Sequence, residues 1–376
     1  MNITVICDVL GIKDNGTSVA ADGLITSMRS RGHDVRVVCC DGKRKGERGY
    51  YVLPERSFPF VGGIVRRAGV ALAAPVEDIV FAAVEGADVV HCMLPFKTAA
   101  LAADLAGELG IPVTAGFHCT PETVSAYLRL EKSALLSRML YRRYRRRLYA
   151  KARCVHYPTE FIRREYEHIV GHTEGRVISN GVSPDLIGRI AKTRPSDGRF
   201  VVLSTGRYSR EKRQDVLIRA VGMSALRERI VLVLAGGGPQ EERYCRLAAR
   251  CGADVRFGYV PPEEMPALVR SADLYVHPAY VESEGIACLE AIGCGIPIVV
   301  SDSPRSAARL YARDERSLFS ADSPASLASR IDYWLTHDGE RAKAGEYYAS
   351  CGLARSRDDC MADMERMFAD VAGGKA

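Results

Sequence analysis

The chain has 376 residues, 47% apolar and 26% charged, as is typical of a globular protein with a sizeable core. Its length predicts two or three domains, and no run of about 18 apolar residues occurs, which excludes a helix that spans a membrane. The net charge of +6 arises before Gly181, where 25 Lys and Arg accompany 19 Asp and Glu, against 27 of each afterwards. This excess points to an anionic surface or partner for the first half.

The 12 cysteines show no paired spacing, and no C-x-x-C occurs among them. We interpret them as reduced thiols of a cytosolic protein, with a zinc site as the alternative. The segment Met1–Asp8 has no cationic stretch and only a short apolar run, so we expect no signal peptide.

Strand and helix patterns alternate from the first residues, which predicts an α/β fold with parallel sheets. Ligands bind at the carboxyl ends of the strands in such sheets, where the Gly16 loop and His118 are predicted to lie. No G-x-G-x-x-G is present, so a dinucleotide site is not supported. The elements predicted in the first half are strands at Ile3–Asp8, Val35–Cys40, Asp88–Met93, Val113–Phe117 and Val155–Thr159, and helices at Val19–Arg31, Pro75–Glu85 and Thr98–Leu109.

The segment Arg129–Arg153 is the most biased of the chain, with ten Lys and Arg and one acid, Glu131. Its apolar residues recur at helical spacing, which predicts an amphipathic helix with a cationic face. The helix either packs on the domain with solvated arginines or lies on anionic lipid, and we favour lipid. Nucleic acid is disfavoured because no recognition motif accompanies the run. Residues suited to the membrane side are Arg142, Arg143, Arg145, Arg146 and Arg147, and the tyrosines suited to the headgroup level are Tyr141, Tyr144 and Tyr149.

A domain boundary is predicted near residues 181–198. A strand pattern over Val177–Val182 contains the turn Asn180-Gly181, and a polar stretch rich in turn residues follows as far as Gly198. The predicted domains are residues 1–182 and 183–354, with a helix at about residues 355–376 that is free to pack back on the first domain.

The α/β alternation then restarts. The predicted strands are Phe200–Ser204, Ile230–Ala235, Val255–Val260, Leu274–His277 and Ile298–Ser301; the predicted helices are Asp215–Val221, one from Glu241, Pro262–Ser271, one from Ile286 to near Gly295, and a helical tail after Ala325.

Four loops of this half follow strands that we expect to be parallel and neighbouring, so they should meet at one edge of the sheet. Together they offer two cations, exposed glycine backbone and two carboxylates, a set that suits a nucleotide diphospho-sugar. Arg207 can bind phosphate oxygens bidentately and Lys212 adds a point charge. The loops are those at Arg207–Lys212, Gly236–Pro239, Gly258–Val260 and Glu282–Glu290.

The sequence resembles the GT4 family of retaining glycosyltransferases. The motifs that carry the resemblance are Gly206-Arg207 with Glu211-Lys212, the run Glu282-Ser-Glu-Gly-Ile-Ala-Cys-Leu-Glu290, and Ile178-Ser-Asn-Gly-Val182 at the domain join. The resemblance implies the GT-B fold, two Rossmann-like doubly wound domains facing a central cleft. With the basic helix, the sequence looks most like lipid-glycosylating members such as diacylglycerol glucosyltransferases and phosphatidylinositol mannosyltransferases.

The resemblance also implies residue roles. Glu282 would contact the donor sugar, Glu290 the ribose, and Arg207 with Lys212 the diphosphate, while His118 would lie near acceptor and donor sugar. Donor-binding residues would further include Gly16, Gly206, Gly258, Tyr259, Val260, Ser283, Glu284, Gly285, Ile286 and Leu289. Three departures are Glu284 in place of an aromatic residue, a single clear glycine in the first loop, and Ser183 in place of an acid.

The expected reaction moves a hexose, by expectation glucose from a UDP-sugar, to a membrane lipid hydroxyl such as that of diacylglycerol, with retention. We expect no metal ion or other cofactor, because the charges of Arg207 and Lys212 supply the electrostatic stabilisation that a metal ion would give. We expect a cytoplasmic protein, peripheral on the inner face of the cell membrane. The alternatives are a soluble or polyprenyl-linked glycan acceptor and a non-catalytic module that binds nucleotide-sugars.

Overall fold

The computed structural model describes residues 1–12, 15–56, 72–126, 133–188 and 198–374. The chain divides into two compact units, one of Met1–Asn180 with Asp358–Ala376 and one of Gly181–Arg357. The second unit is therefore an insertion in the first. The segments where the chain enters and leaves the second unit are hydrogen-bonded to each other. The Val182 N–H donates to the Arg355 carbonyl and the Arg357 N–H donates to the Val182 carbonyl, both at 2.8 Å.

In the described part of the first unit, seven strands form one parallel sheet in the order β3-β2-β1-β4-β5-β6-β7. The strands are β1 Asn2–Ile6, β2 Asp34–Cys39, β3 Tyr50–Val52, β4 Val89–Cys92, β5 Val113–Gly116, β6 Cys154–Tyr157 and β7 Gly175–Val177. The helices are α1 Gly16–Ser30, α2 Glu77–Val84, α3 Lys97–Glu108, α4 Pro121–Ala126, α5 Ala134–Tyr144 continued by a π turn over Arg145–Tyr149, α6 Glu160–Val170, and the last helix of the chain, Arg357–Ala372.

This sheet has an apolar core on each face, because successive side chains of a strand point to opposite sides. Ile3 and Val5 face one core, and Ile6 faces the other. Helix α1 and the last helix cover the first core, while α2, α3, α5 and α6 cover the second. The last helix contributes Met361, Met364, Met367, Phe368 and Val371, all at most 3% exposed. Each such burial contributes about 1.5–3 kcal/mol, so the first unit depends on its C-terminal segment.

In the described part of the second unit, six parallel strands follow the order β10-β9-β8-β11-β12-β13. They are β8 Phe200–Thr205, β9 Ile230–Ala235, β10 Val255–Gly258, β11 Leu274–His277, β12 Ile298–Ser301 and β13 Leu318–Phe319. The helices of this unit are α7 Gln214–Met223, α8 Glu241–Cys251, α9 Met265–Ser271, α10 Ile286–Gly293, α11 Pro324–Thr336 and α12 Asp338–Ser350. The last helix of the chain, Arg357–Ala372, is numbered α13.

The predicted fold class, two Rossmann-like α/β domains with parallel sheets, is confirmed. The strands predicted at Ile230–Ala235, Leu274–His277 and Ile298–Ser301 coincide with those observed. The strand predicted at Val177–Val182 is wrong in its position, because β7 ends at Val177 and Val182 instead pairs with Ser356.

Candidate functional site

Glu282, Lys212 and His277 form a polar cluster at the carboxyl ends of β8 and β11. The Lys212 Nζ lies 2.5 Å and the His277 Nε2 3.0 Å from the same oxygen, Glu282 Oε2. The Glu282 side chain is 12% exposed and that of His277 3%. Burial acts to raise the pKa of Glu282, but the charge of Lys212 and the hydrogen bond with His277 outweigh it and hold the pKa well below its usual value. Glu282 is therefore an ionised carboxylate at neutral pH.

The backbone fixes the position of this carboxylate. The Glu282 N–H donates to the Arg305 carbonyl at 3.1 Å, and the Glu282 carbonyl accepts from the Ala307 N–H at 2.9 Å. The other carboxylate oxygen, Oε1, accepts from the Ser283 N–H at 3.2 Å. Three of the roughly four lone-pair directions of the carboxylate thus face protein donors, which leaves about one for a ligand hydroxyl.

Gly285 turns the chain from this loop into helix α10. Its φ of +87° and ψ of 53° are left-handed, a conformation that glycine adopts without steric cost. The amides of Cys288 and Leu289 donate to the Gly285 carbonyl at 2.8 and 3.1 Å, so those two N–H groups are used inside the helix. Ile286 begins the helix, and the Leu289 side chain lies in the apolar core.

Glu290 lies on the fifth position of α10 and is half-buried. Burial raises its pKa to about 7, although the charge of Arg357 acts in the opposite direction. The two carboxyl groups of this loop and helix therefore differ in charge state: Glu282 is ionised throughout the neutral range, while Glu290 changes its charge within it.

Glu284 is 3% exposed and is not a surface acid. Tyr311 lies within its electrostatic reach, since the pKa of Tyr311 is raised well above its usual value by burial and then by the Glu284 charge. Ser283 and Val260 are half-buried, and Tyr259 is 46% exposed. Of the predicted donor-binding residues Ser283, Glu284, Tyr259 and Val260, Tyr259 is thus the most exposed.

Three glycine loops are bonded to one another at the same edge of the sheet. The Gly206 N–H donates to the Ala235 carbonyl at 2.9 Å, the Tyr208 N–H to Gly237 at 2.7 Å, and the Gly236 N–H to Gly258 at 2.8 Å. A Cβ at Gly236 would lie 2.2 Å from the Gly206 carbonyl oxygen, so only glycine allows the loops to approach so closely.

Tyr208 holds these loops from inside. Tyr208 is 1% exposed, and its hydroxyl group donates to the Leu234 carbonyl. The oxygen of that hydroxyl accepts from the Gly258 N–H at 3.2 Å. The loop that carries Arg207 is fixed as well, since the Gln214 side chain donates to the Arg207 carbonyl at 2.8 Å. The half-buried Arg207 side chain therefore extends from a rigid backbone.

The structure thus brings Lys212 and Glu282 into direct contact and places Gly206 and Gly258 in interlocked loops. His118 and Gly16 belong to the other unit. Gly16 is the first residue of α1, and the Asn15 side chain accepts from the amides of Thr17 and Ser18 at 2.9 and 3.2 Å. The segment expected to approach phosphate is therefore a capped helix start, with two of its amides already bonded.

The basic segment is helical over Ala134–Tyr144, and its predicted beginning, residues 129–132, lies outside the described residues. The expected headgroup position of its tyrosines is wrong. Tyr141, Tyr144 and Tyr149 are 3–5% exposed, and Phe117 stacks on Tyr149 with ring centroids 5.3 Å apart. They belong to the core of the unit.

The opposite face of this helix carries both charge and exposed apolar groups. Leu135 is 81% and Met139 57% exposed. Around them lie the exposed arginines Arg138, Arg142, Arg143, Arg145 and Arg146; Arg147 is half-buried, and Arg145 also donates to the Val170 carbonyl at 2.7 Å. Among the residues that the structure describes, no helix has the length and apolar character needed to cross a bilayer.

The sequence reasoning missed His277 and Tyr208. His277 ends β11 five residues before Glu282, so its position at the carboxyl end of a strand was the available signal. Tyr208 binds groups 26 and 50 residues away along the chain, and no local pattern reveals such contacts.

Comparison with known families assigns each part of the chain to glycosyltransferases. Residues 14–186 match the family described as Glycosyltransferase Family 4, and residues 189–350 match Glycosyl transferases group 1. Among solved structures, that of Anabaena Alr3699/HepE in complex with UDP and glucose has a TM-score of 0.74 at 18% identity, covering 98% of this chain and 100% of that chain. This likeness concerns the fold.

The curated relatives that are similar in sequence include the following two. A D-inositol 3-phosphate glycosyltransferase of Salinispora tropica is 36% identical over 38% of this chain and 32% of its own length. A GDP-mannose-dependent alpha-(1-6)-phosphatidylinositol monomannoside mannosyltransferase of Mycolicibacterium smegmatis is 35% identical over 32% of this chain and 34% of its own length. The chain thus spans about a third of the length of these relatives. Their names do not support the narrower likeness to diacylglycerol glucosyltransferases. By these two family matches, which together cover residues 14–186 and 189–350, the chain belongs to the glycosyltransferases of the GT4 type.

Proposed function

We propose that the protein transfers a hexose from a nucleotide diphospho-sugar to a hydroxyl of a membrane lipid, with retention at the anomeric carbon. The observation that carries the proposal is the polar cluster in which Lys212 and His277 hold the Glu282 carboxylate. It lies at the carboxyl edge of a parallel sheet, next in sequence to Gly285 and α10. Open α/β sheets bind their ligands at that edge.

In this proposal, Glu282 orients the donor sugar and is not a nucleophile. A carboxylate that is ion-paired to Lys212 and bonded by His277 and Ser283 has little electron density free for attack on carbon. The acceptor hydroxyl would attack on the face that the diphosphate leaves, and a diphosphate oxygen would take its proton. Arg207 and Lys212 would stabilise the charge that develops on this leaving group, without a metal in the transfer step.

The remaining predicted residues take roles around this step. Glu290 would accept from the ribose hydroxyls, and the backbone of Gly258–Val260 would contact the base. His118 of the first unit would position the acceptor. For the donor we propose a UDP-hexose, with glucose first. The name of the Mycolicibacterium relative specifies GDP-mannose, so GDP-mannose is the second donor to test.

Diacylglycerol is the first acceptor to test, and an inositol phosphate or inositol phospholipid is the second, because the names of both relatives contain an inositol acceptor. The test incubates the protein with UDP-, GDP- and ADP-hexoses and each acceptor, with mass detection of the product. We expect one donor to give a product of retained configuration. Product of inverted configuration would contradict the mechanism.

Lys212→Met provides the matched variant for this assay, since methionine keeps most of the length of the side chain and removes the charge. We expect kcat/KM to fall by at least about 100-fold, the usual effect of removing one group that stabilises charge in a transition state. Near-normal turnover would contradict the assigned role. A non-catalytic module would lack even the slow donor hydrolysis that a transferase shows without acceptor.

We further propose that the surface around Leu135 and Met139 lies on the anionic inner face of the cell membrane. Exposed apolar side chains beside arginines suit the boundary between headgroups and acyl chains. Each basic residue near such a surface contributes about 1 kcal/mol, so serine at Arg142, Arg143 and Arg146 should weaken vesicle binding by about 100-fold.

Flotation with vesicles that contain or lack anionic lipid measures this binding. A matched control replaces three exposed arginines of the second unit, Arg219, Arg250 and Arg256, with serine and so removes the same charge. We expect the control to float like the parent protein. Flotation that is indifferent to anionic lipid and to salt would favour a soluble or polyprenyl-linked glycan acceptor.

A further inference from the structure

Three neighbouring strands of the first unit each place a histidine at one end of the sheet. His91 lies on β4, His118 follows β5 by two residues, and His156 lies on β6. The register pairs His91 with Thr114 and Gly116 with His156. As a result, the ligand nitrogens that the three imidazoles offer lie within 4.8 Å of one another.

Hydrogen bonds fix the tautomers of the two histidines on strands. His156 Nε2 lies 2.7 Å from the Ile178 carbonyl oxygen, which only accepts, so Nε2 carries the proton and Nδ1 a lone pair. His91 Nδ1 lies 2.9 Å from the Thr114 hydroxyl, which donates to the Val90 carbonyl at 3.4 Å. A hydroxyl that gives its proton to Val90 accepts from His91 Nδ1, and this tautomer leaves the lone pair on Nε2.

One nitrogen of each of the three rings has no hydrogen-bond partner among the residues that the structure describes. In the described part of the chain, His91 Nε2, His118 Nε2 and His156 Nδ1 are buried nitrogens without a hydrogen bond. Burial lowers the pKa of His91 to about 3, that of His156 to about 4 and that of His118 well below its usual value. The three imidazoles are therefore neutral at pH 7. A buried polar group without a hydrogen bond costs about 1–3 kcal/mol, so a ligand that binds these nitrogens would stabilise the folded protein.

We propose that His91, His118 and His156 form a binding site for a divalent transition metal of the zinc class. Three neutral imidazole nitrogens are the donors that such ions prefer, whereas Mg²⁺ and Ca²⁺ require oxygen ligands. The bond from His156 to a backbone carbonyl is of the kind that orients metal-binding histidines, and the bond between His91 and the Thr114 hydroxyl also holds its ring in place.

The site needs only a modest contraction to bind zinc. Tetrahedral bonds of about 2.0–2.1 Å place ligand nitrogens about 3.3–3.4 Å apart. His118 can supply the movement, because it lies on the loop after β5 and is half-buried, whereas the other two rings lie on strands and are at most 2% exposed.

Gly116 makes the room for the third ring. A Cβ on Gly116 would lie 2.6 Å from His118 Nε2 and 3.4 Å from His91 Nε2. Alanine at this position would push the His118 ring out of the cluster while the other two histidines keep their places. Gly116→Ala therefore removes one ligand without changing any of the three.

The test is a titration of the metal-free full-length chain with Co²⁺, followed by visible absorption, and then displacement by Zn²⁺. We expect one Co²⁺ per chain with the intense visible bands of tetrahedral coordination, lost on addition of Zn²⁺. Thr114→Val removes a bond that orients a ligand, which usually lowers metal affinity about 10–100-fold. His118→Gln and Gly116→Ala remove a ligand itself, so each should lower metal affinity by at least about 100-fold. His337→Gln, at an exposed histidine of the second unit, is the control and should bind as the parent does.

Absence of binding at micromolar Co²⁺ and Zn²⁺, or unchanged affinity in both His118→Gln and Gly116→Ala, would overturn the proposal. His118 is half-buried and follows β5, whereas His91 and His156 are buried within strands, so we expect His118→Gln to fold even if changes at His91 or His156 prevent folding. Absorption reports on the metal alone. Its outcome is therefore independent of whether the protein proves to be a glycosyltransferase.

Discussion

Glu290 couples the affinity for the donor to pH, if it accepts hydrogen bonds from the ribose as we propose. Only the ionised carboxylate accepts from both hydroxyls of a ribose. Burial raises the pKa of Glu290 to about 7, against the opposing charge of Arg357. The raised pKa means that the carboxylate is protonated below about pH 7, so affinity for the donor should rise as the pH rises through this value.

The size of the effect follows from the pKa. With a pKa of about 7, the ionised fraction of Glu290 is about 90% at pH 8 and about 10% at pH 6, which predicts a donor Kd about tenfold higher at pH 6. Arg357→Met removes the charge that favours ionisation. Its midpoint should therefore move to higher pH, and its affinity at pH 7 should be lower than that of the parent.

Isothermal titration calorimetry with the intact nucleotide-sugar, between pH 6 and 8, measures this dependence. The diphosphate of such a donor is a diester whose charge is constant over the range. Glu290→Gln cannot ionise and is the matched control, so its Kd should not vary with pH. A parent Kd that is the same at pH 6 and 8, or a Glu290→Gln variant that keeps the tenfold change, would refute the reasoning.

Three further predictions concern the second unit. Arg207→Ala should lower kcat/KM by at least about 100-fold in steady-state assays, and turnover close to that of the parent would show that Arg207 does not act on the diphosphate. Tyr208→Phe leaves the Leu234 carbonyl and the Gly258 N–H short of a partner, at a cost of about 1–3 kcal/mol, so calorimetry should find the second unit melting about 2–12 °C lower. Gly236→Ala should destabilise the protein more than Tyr208→Phe does, because the new Cβ would overlap the Gly206 carbonyl. Gly339→Ala is the control, since Gly339 lies in a helix with open space around it, and this variant should be neutral or stabilising. Equal stability of the two alanine variants would contradict the packing argument.

The parts of the fold that the sequence predicts well are those set by local pattern. Buried strands such as Ile230–Ala235 consist of consecutive apolar residues and have polar or glycine-containing flanks, so their limits are visible in the sequence. The strands β3 and β13 were not predicted. They have three and two residues and lie at sheet edges, where pairing with a neighbour, and not composition, decides whether a strand forms.

The basic helix shows where pattern alone fails. Leu136, Leu140, Tyr144 and Leu148 recur every four residues, but the buried side is Ser137, Tyr141, Tyr144 and Leu148. The face is rotated because Phe117 and Tyr166, from distant segments, pack on Tyr141 and Tyr149. The π turn at Arg145–Tyr149 shifts the register further. Contacts between distant segments decided which side faces the core, and a helical period cannot report them.

The candidate site divides in the same way. Short motifs predict Arg207, Lys212, Glu282 and Glu290 as site residues, because strand–loop–helix geometry is local. The pairing of Lys212 with Glu282 spans 70 residues, and the histidine cluster joins three strands over 65 residues of sequence. No spacing in the sequence predicts either arrangement, because each depends on the order of the strands in the sheet.

The return of the last helix to the first unit has a consequence for synthesis on the ribosome. Residues 1–180 can form their sheet as soon as they emerge, but the part of one face that the last helix covers stays open until Asp358 and the residues after it have been made. During translation of the whole second unit, the apolar surface that awaits Met361, Met364 and Phe368 is open to water and to chaperones. The first unit to be started is thus the last to be finished, and a nascent chain arrested before residue 358 should be held by chaperones even though its second unit is nearly complete.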